Sequence, residues 1–549
     1  MDPRERRPLA ARDQGDPTTE RCYNVPMSRR RLILVPMIVL ITALLSTVSG
    51  SWRSLWPPVV ALLVIVATRR ALVGLLIGGY VGAVMLADGN LWQGYLAVFG
   101  EHLAPSLSSP WRLGAVAFTL VLGGFAAVLD AGGGFASLLR RLAPGDAGAE
   151  RRFELSAMAL GLLCFFDGLA NSMMVGRVGR SLADRCGTAR VKLAYIVDST
   201  SSAVACVALV STWIAFQLSM IEEGYRLAGL DVNPYAAFLQ SLPYNFHCWF
   251  TLILLPAAII WRFAPGPMGG FEGQRPAATA SDDRGSPTTG GSAAALVPLA
   301  VLLTAFVLGF MVLGRTGAWW PPSRASLVAA FGSDAGPLVM VLAGAVATMT
   351  AALWLPGRPL ARLELGARAF TGGMRAMMAP VFILLAAWIL GSVVQALGTA
   401  DLIAGLVERA GTPALVPLVT FITGALVSFA TGTSWGTMGL LFPLALPAAG
   451  DPALMPATVA AVFSGAVFGD HCSPFSDTTI VTAIACEVEP HAHVRTQMPY
   501  ALIAATAAAV VGFLPAGFGV WPGWSLLAGG VGLVLLARRG RIRYRDRSS

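Results

Sequence analysis

The sequence predicts an all-α polytopic membrane protein, and three observations carry that expectation. The 549 residues are 55% hydrophobic and only 13% charged, against about 25% charged in soluble domains. Mean hydropathy is +0.67, and apolar runs of roughly 20 residues, enough to cross about 30 Å of hydrocarbon, recur along the chain. The basic residues are nearly all arginines at the ends of those runs, with Lys192 the single lysine. A pI near 9.5 therefore reads as a topology signal and not as nucleic-acid binding. Seven cysteines show no CxxC or CxxH pairing, which argues against a disulfide framework or a zinc site.

The apolar runs predict helices at 32–48, 53–68, 71–87, 113–130, 193–221, 246–262, 294–314, 336–355, 376–398, 455–485, 498–517 and 521–537. The first, in RRRLILVPMIVLITALLSTVSGS, has the pattern of a signal peptide. Because many spans follow and an arginine-rich tail precedes it, an uncleaved helix is expected. That tail, 1–31, holds eight arginines and should be cytoplasmic. Alternation then places about 33 of the 39 basic residues inside, with the linker 263–293 and both termini cytoplasmic. Inner-membrane residence follows from the same reading.

Two stretches do not read as simple spans. Residues 155–180 are apolar but have Arg151 and Arg152 before them and Arg177, Arg180 and Arg185 at or beyond their end. Both ends are held inside, so the segment should be a re-entrant hairpin. Residues 412–449 are apolar on both sides of a polar tip and lack such arginines, which predicts a second hairpin entering from outside.

Pairing 71–87 with 336–355, 113–130 with 376–398, 155–180 with 412–449, 193–221 with 455–485 and 246–262 with 498–517 gives an offset near 250–265 residues throughout. The second member of each pair crosses in the opposite sense. The expected organisation is a peripheral helical pair (32–70), a first inverted repeat (71–262), the linker, a connecting helix and outer loop (294–335), a second repeat (336–517), and a last helix with a basic tail (518–549). Inverted repeats with broken helices are the architecture of secondary transporters, whose sites lie where the breaks meet.

Four polar clusters interrupt these elements. FFDGLANSMMVG contributes Asp167 and Asn171, and YIVDSTSSAV contributes Asp198, Ser199 and Thr200. FATGTSWGTMG contributes Thr431, Thr433 and Ser434, and GDHCSPFSDTT contributes Asp470, His471, Ser473, Ser476, Asp477, Thr478 and Thr479. An ionised Asp at a helix centre costs roughly 2.5–3.5 kcal/mol on insertion scales. The charge map leaves no arginine or lysine within the spans to neutralise Asp167, Asp198, Asp470 and Asp477, so a mobile cation is the expected partner. Carboxylate, hydroxyl and freed carbonyl oxygens suit Na+ or H+ and not soft metals.

Structural readings compete at each position. Transmembrane serines and threonines commonly bond back to their own helix carbonyls. Asp477 reads either as a cap of the following half-helix or as an ion-site residue. His471 reads as a core histidine or as a proton carrier. Asp88 and Asp130 sit at span ends and read as interfacial, and Trp319 and Trp320 read as an outer aromatic belt.

FGDHCSPFSDTT resembles the hallmark of NhaC-type Na+/H+ antiporters, within the wider superfamily of hairpin-containing ion transporters. FFDGLANSMMVG with RVKLAYIVDST and ALVSTWIAF resembles that family's first-half signature, and TGTSWGTMGLLFPLA its second hairpin. The resemblance covers most of 70–520. It implies sodium–proton exchange, with relatives that exchange malate and lactate or carry amino acids, and it implies that the fifteen cluster residues named above form the ion site. Gly168 stands where the family often has a second acid, which removes one carboxylate from the expected proton count.

The leading expectation is thus a Na+/H+ antiporter, and the second an H+- or Na+-coupled carrier of a small organic acid or amino acid. No HExxH, GxSxG or Walker motif points to an enzyme. The expected partners are Na+, H+, the bilayer and, in the second reading, an organic solute. No cofactor is expected beyond the transported ions, nucleic acid is not expected, and a homodimer is an allowed assembly.

Overall fold

Each of the twelve predicted spans falls on helical structure, two of them (193–221 and 455–485) on a pair of helices, and helices dominate the described chain. The computed structural model describes residues 29–47, 50–142, 149–271, 291–315, 326, 330–331 and 333–540. Most of the tail 1–31, the middle of the linker 263–293, the loop bearing Trp319 and Trp320, and the end of the C-terminal tail lie outside them. Among the described residues, six helices are long and apolar enough to cross a membrane, and up to nine if each of three bent pairs is one span. This is a multi-pass membrane protein.

The helices approach one another through small residues, as membrane packing requires. Gly465 and Gly469 lie one turn apart on Met455–Cys472 and face Val416–Thr431. A Cβ on Gly469 would fall 2.3 Å from the carbonyl carbon of Ser428, and one on Gly465 would fall 2.7 Å from the carbonyl oxygen of Phe421. The second hairpin is thereby pressed against the helix that carries Asp470.

Both predicted hairpins are helix–break–helix units. Glu150–Leu163 and Gly168–Cys186 flank the break at 164–167. Val416–Thr431 and Ser434–Ala449 flank Gly432, whose φ of 70° suits glycine. A Cβ there would also lie 2.7 Å from the Phe475 carbonyl oxygen, so the hairpin tip touches the second broken helix at its break. That helix divides into Met455–Cys472 and Asp477–Cys486.

The first broken helix corrects the expectation in one respect. Asp198–Ser202 lie within the continuous helix Arg190–Val207, and the break follows at 208–211, with a 45° bend into Thr212–Leu227. Polarity and backbone disruption are separate properties here. Thr200 Oγ1 bonds back to the Ile196 carbonyl at 3.0 Å within the unbroken helix, while Ser211 caps the next segment by accepting from the Trp213 and Ile214 amides.

Other corrections concern boundaries and charges. The predicted helix 246–262 is the second part of a bent pair, Pro234–Tyr244 with Phe246–Trp261, at 49°. The predicted 498–517 begins at Pro490, because Glu489, His491 and Arg495 depress the hydropathy of its first two turns. Pro359–Ala376 and Thr399–Ala410 are helices where loops were expected; their charges sit on exposed faces, with Glu364 and Arg368 paired one turn apart. Arg112 and Lys192, assigned to span ends, are buried at 6% and 3% exposure.

Candidate functional site

Asp470 occupies the last turn of Met455–Cys472, where the helix is about to stop at Ser473 and Pro474. Its carboxylate is buried and accepts two hydroxyl bonds. Ser202 Oγ donates to Oδ2 at 2.7 Å, and Ser476 Oγ donates to Oδ1. Ser476 in turn lies 2.9 Å from Thr478 Oγ1. Thr479 Oγ1 donates to the Asp470 carbonyl at 2.9 Å, one of the groups the break leaves without a helical partner. Ser473 Oγ turns inward to accept from the Phe475 amide. The break is thus built almost wholly from neutral hydroxyls around one carboxylate.

Asp198 lies within electrostatic reach of Asp470 and is fully buried. Its Oδ2 accepts from Gln497 Nε2 at 2.6 Å, meets His493 Nε2 at 3.1 Å, and lies 3.5 Å from Thr479 Oγ1. Its Oδ1 has no partner among the described residues. Gln497 also donates to the His471 carbonyl, and His471 Nε2 sits 3.1 Å from Ser199 Oγ. The side-chain pairing seen for both carboxylates among the described residues is therefore with hydroxyl, amide and imidazole groups.

His493 and Gln497 were missed from the sequence. They lie four residues apart on Pro490–Ala507, hence on one face, and Tyr500 stacks on Tyr195 at 4.0 Å to hold that helix against Arg190–Val207. The available signal was HxxxQ within HAHVRTQMPY, masked by the neighbouring charges.

Asp167 of the first hairpin stands apart from this cluster, although the hairpin itself is bonded to both broken helices. Asp167 caps Gly168–Cys186, its Oδ1 accepting from the Ala170 amide at 2.6 Å, and its Oδ2 accepts from Thr212 Oγ1 at 2.9 Å. Asn171 ties the hairpin to the broken helix, donating to the Gly161 and Thr200 carbonyls at 3.1 and 2.8 Å. Asp167 and Asp470 share no hydrogen-bond partner. At the second hairpin, Thr431 bonds back to Val427, and Thr433 caps its helix through the Gly436 amide. Ser434 is buried beside them. Arg69 lies over the Phe475 ring, 3.1 Å from its centroid, covering the outside of the break.

Asp477 does not join the cluster. It is exposed, begins its helix, and has no side-chain partner among the described residues. Asp477→Asn is expected to change folding stability by less than about 0.5 kcal/mol. Asp167→Ala, which removes a cap, should cost about 1 kcal/mol or more. Thermal unfolding of purified protein in detergent separates the two; equal shifts would contradict the capping assignment.

Sequence comparison places this geometry among known proteins. The profile described as the Na+/H+ antiporter family matches residues 204–518. An uncharacterized protein of Haemophilus influenzae is 30% identical over 489 residues, 86% of this chain and 92% of that protein. The malate-2H(+)/Na(+)-lactate antiporter of Bacillus subtilis is 39% identical over 111 residues, 19% of this chain and 24% of that protein. In fold, the chain is similar to the Alcanivorax borkumensis YdaH transporter, with a TM-score of 0.57 at 16% identity, over 79% of this chain and 90% of that one.

Proposed function

The chain belongs to the Na+/H+ antiporter family, and on that premise we propose that it exchanges Na+ for H+ across the bacterial inner membrane, with its termini in the cytoplasm. It is a secondary transporter and not an enzyme. The observation that carries the ion assignment is the pair Asp198 and Asp470. Both are buried, lie within reach of each other, and are bonded to neutral or imidazole partners. Two ionised carboxylates so placed are costly unless a cation accompanies them.

Coupling follows from competition. Na+ needs the ionised carboxylates together with the oxygens of Ser202, Ser476 and Thr479, whereas a proton neutralises the carboxylate and withdraws it from the cation. The same groups therefore hold one ion or the other, and opposite fluxes are linked without a separate device. Alternating exposure is assigned to rocking of the two repeats, each with a hairpin tip packed against a broken helix.

The second reading is coupled exchange of a small organic acid. It is favoured by the match to the malate/lactate antiporter, and half-helix N-termini at Gly168, Ser434 and Asp477 supply partial positive charge toward a carboxylate.

Everted membrane vesicles with a pH-sensitive dye test the first reading. Added Na+ or Li+ is expected to dissipate a respiration-generated pH gradient. No response between about pH 6.5 and 9, the range in which a buried carboxyl exchanges its proton, would reject it. Counterflow of malate or lactate in proteoliposomes without Na+/H+ exchange would establish the second.

A further inference from the structure

The span that follows the first broken helix is itself interrupted, and the interruption faces the ion cluster. Pro234–Ser241 and the turn Leu242–Tyr244 meet Phe246–Trp261 at Asn245. Asn245 is fully buried and caps nothing; neither its amide oxygen nor its nitrogen has a protein partner among the described residues. His247 is equally buried, and both of its ring nitrogens are unpartnered. One turn further on, Thr251 Oγ1 is unpartnered as well.

The adjacent helix Met455–Cys472 presents Ser464 Oγ and His471 Nδ1 in the same condition. Phe468, between those two, sets its ring against His247 at 5.5 Å, and His247 lies within electrostatic reach of His471. Cys248 touches Cys206, which fixes the break about one turn beyond Ser202 along Arg190–Val207. Among the described residues, two packed helices thus carry seven buried polar atoms without protein partners, His471 Nδ1 among them, and His247 lies between Phe421 and Phe468.

Native interiors pair nearly all buried polar groups, with water where protein is lacking. No carboxylate lies in this group, so it does not suit a bare cation. It does hold both donors and acceptors, which is what a short file of water needs. Imidazole adds proton exchange: a proton taken up at one nitrogen is matched by one released from the other, and the ring returns to neutrality as its other tautomer.

We propose that Asn245, His247, Thr251 and Ser464 form a hydrated proton path that ends on His471 Nδ1, with His247 as the carrier. Protons from bulk water pass through His247 to His471, whose Nε2 faces Ser199 one residue from Asp198. The titratable group within electrostatic reach of His247 is His471 from Met455–Cys472, while the neighbouring Cys248 touches Cys206 from Arg190–Val207. The proposal rests on proton-coupled exchange, but its first test does not.

Hydroxyl-radical footprinting labels side chains beside bound water. In the wild-type protein in nanodiscs, His247 is expected to be modified several-fold faster than Phe118 and Phe153, which are equally buried in apolar surroundings. Equal rates would overturn the path, whatever the protein transports. In proteoliposomes, His247→Phe is expected to slow pH-gradient-driven uptake of radiolabelled Na+ by about 100-fold, the scale of one positioned proton-transfer group. Na+/Na+ exchange at equal pH should persist. Wild-type rates in both assays would also overturn the path. Fast labelling in a wild-type protein that shows no proton-driven uptake would retain the path and reject the exchange reading instead.

Discussion

Asp198→Asn and Asp470→Asn are each expected to slow Na+/H+ exchange by roughly 100-fold or more while leaving the protein inserted and folded. The magnitude follows from losing about 3 kcal/mol of charge-assisted contact with the bound cation, which corresponds to about two decades. Folding should survive because the partners adapt. The Ser202 and Ser476 hydroxyls that bond Asp470 can rotate to meet an amide. At Asp198, an asparagine can offer its oxygen to Gln497 and place its NH2 where Oδ1 has no protein partner. Removing a buried charge that no fixed cation balances also relieves desolvation. The measurement is the initial rate of exchange by purified variants in proteoliposomes, alongside size-exclusion profiles and melting temperatures. Wild-type rates for either variant would show that its carboxylate serves structure, and the competition mechanism would fall with it.

The extent to which the sequence was legible follows from what each residue depends on. Asp470, His471 and Ser476 were readable because the break that exposes them is local: Pro474 and a dense run of hydroxyls stand inside an apolar segment. Asp198 was readable as polar but not in its backbone setting, since its helix continues for nine residues to Val207. Asp167 carries a local cap signature, a short acid followed by a helical run, and its position inside an apolar segment gives it equally the look of an ion-site residue. His493 and Gln497 were hidden because they reach the site from a helix whose first turns are not apolar. The bend at Asn245 shows in sequence only as scattered polar residues, Asn245, His247 and Thr251, and their partners emerge only when Met455–Cys472 brings Ser464 and His471 toward them. Polarity within a run is a local property, whereas the partner of a polar group is a tertiary one.

The ion pair between Arg112 and Glu223, 111 residues apart, is the clearest product of tertiary structure, and its disruption should have the largest effect on folding. Glu223 is fully buried on Thr212–Leu227, and Arg112 is nearly so on Pro110–Ala131. Arg112 Nη2 donates to Glu223 Oε2, and Arg226 closes the other side, 2.7 Å from Oε1. Glu222 stands 3.8 Å from Arg112 Nε and accepts from Ser109 at 3.2 Å. From Met378–Ala396, the Trp388 ring lies 5.3 Å from the guanidinium, while its indole nitrogen donates to Ser219 at 2.7 Å. A Cβ on Gly391 would lie 2.5 Å from Glu223 Oε1, so glycine there is what lets the third helix close over the pair. Arg112→Ala leaves Glu223 buried with only the half-exposed Arg226 and removes the contact beneath Trp388. The expected loss is about 3–5 kcal/mol, the range for breaking one side of a buried pair. Arg112→Met combined with Glu223→Met retains volume and removes both charges, and should recover most of that loss. Stability is read from SDS unfolding in mixed micelles. A single variant within about 1 kcal/mol of wild type, the central effect of an ordinary substitution, would show that Arg226 and Glu222 rearrange to absorb the change. A double variant as unstable as the single would show that specific hydrogen bonds, and not the uncompensated charge, hold the three helices together.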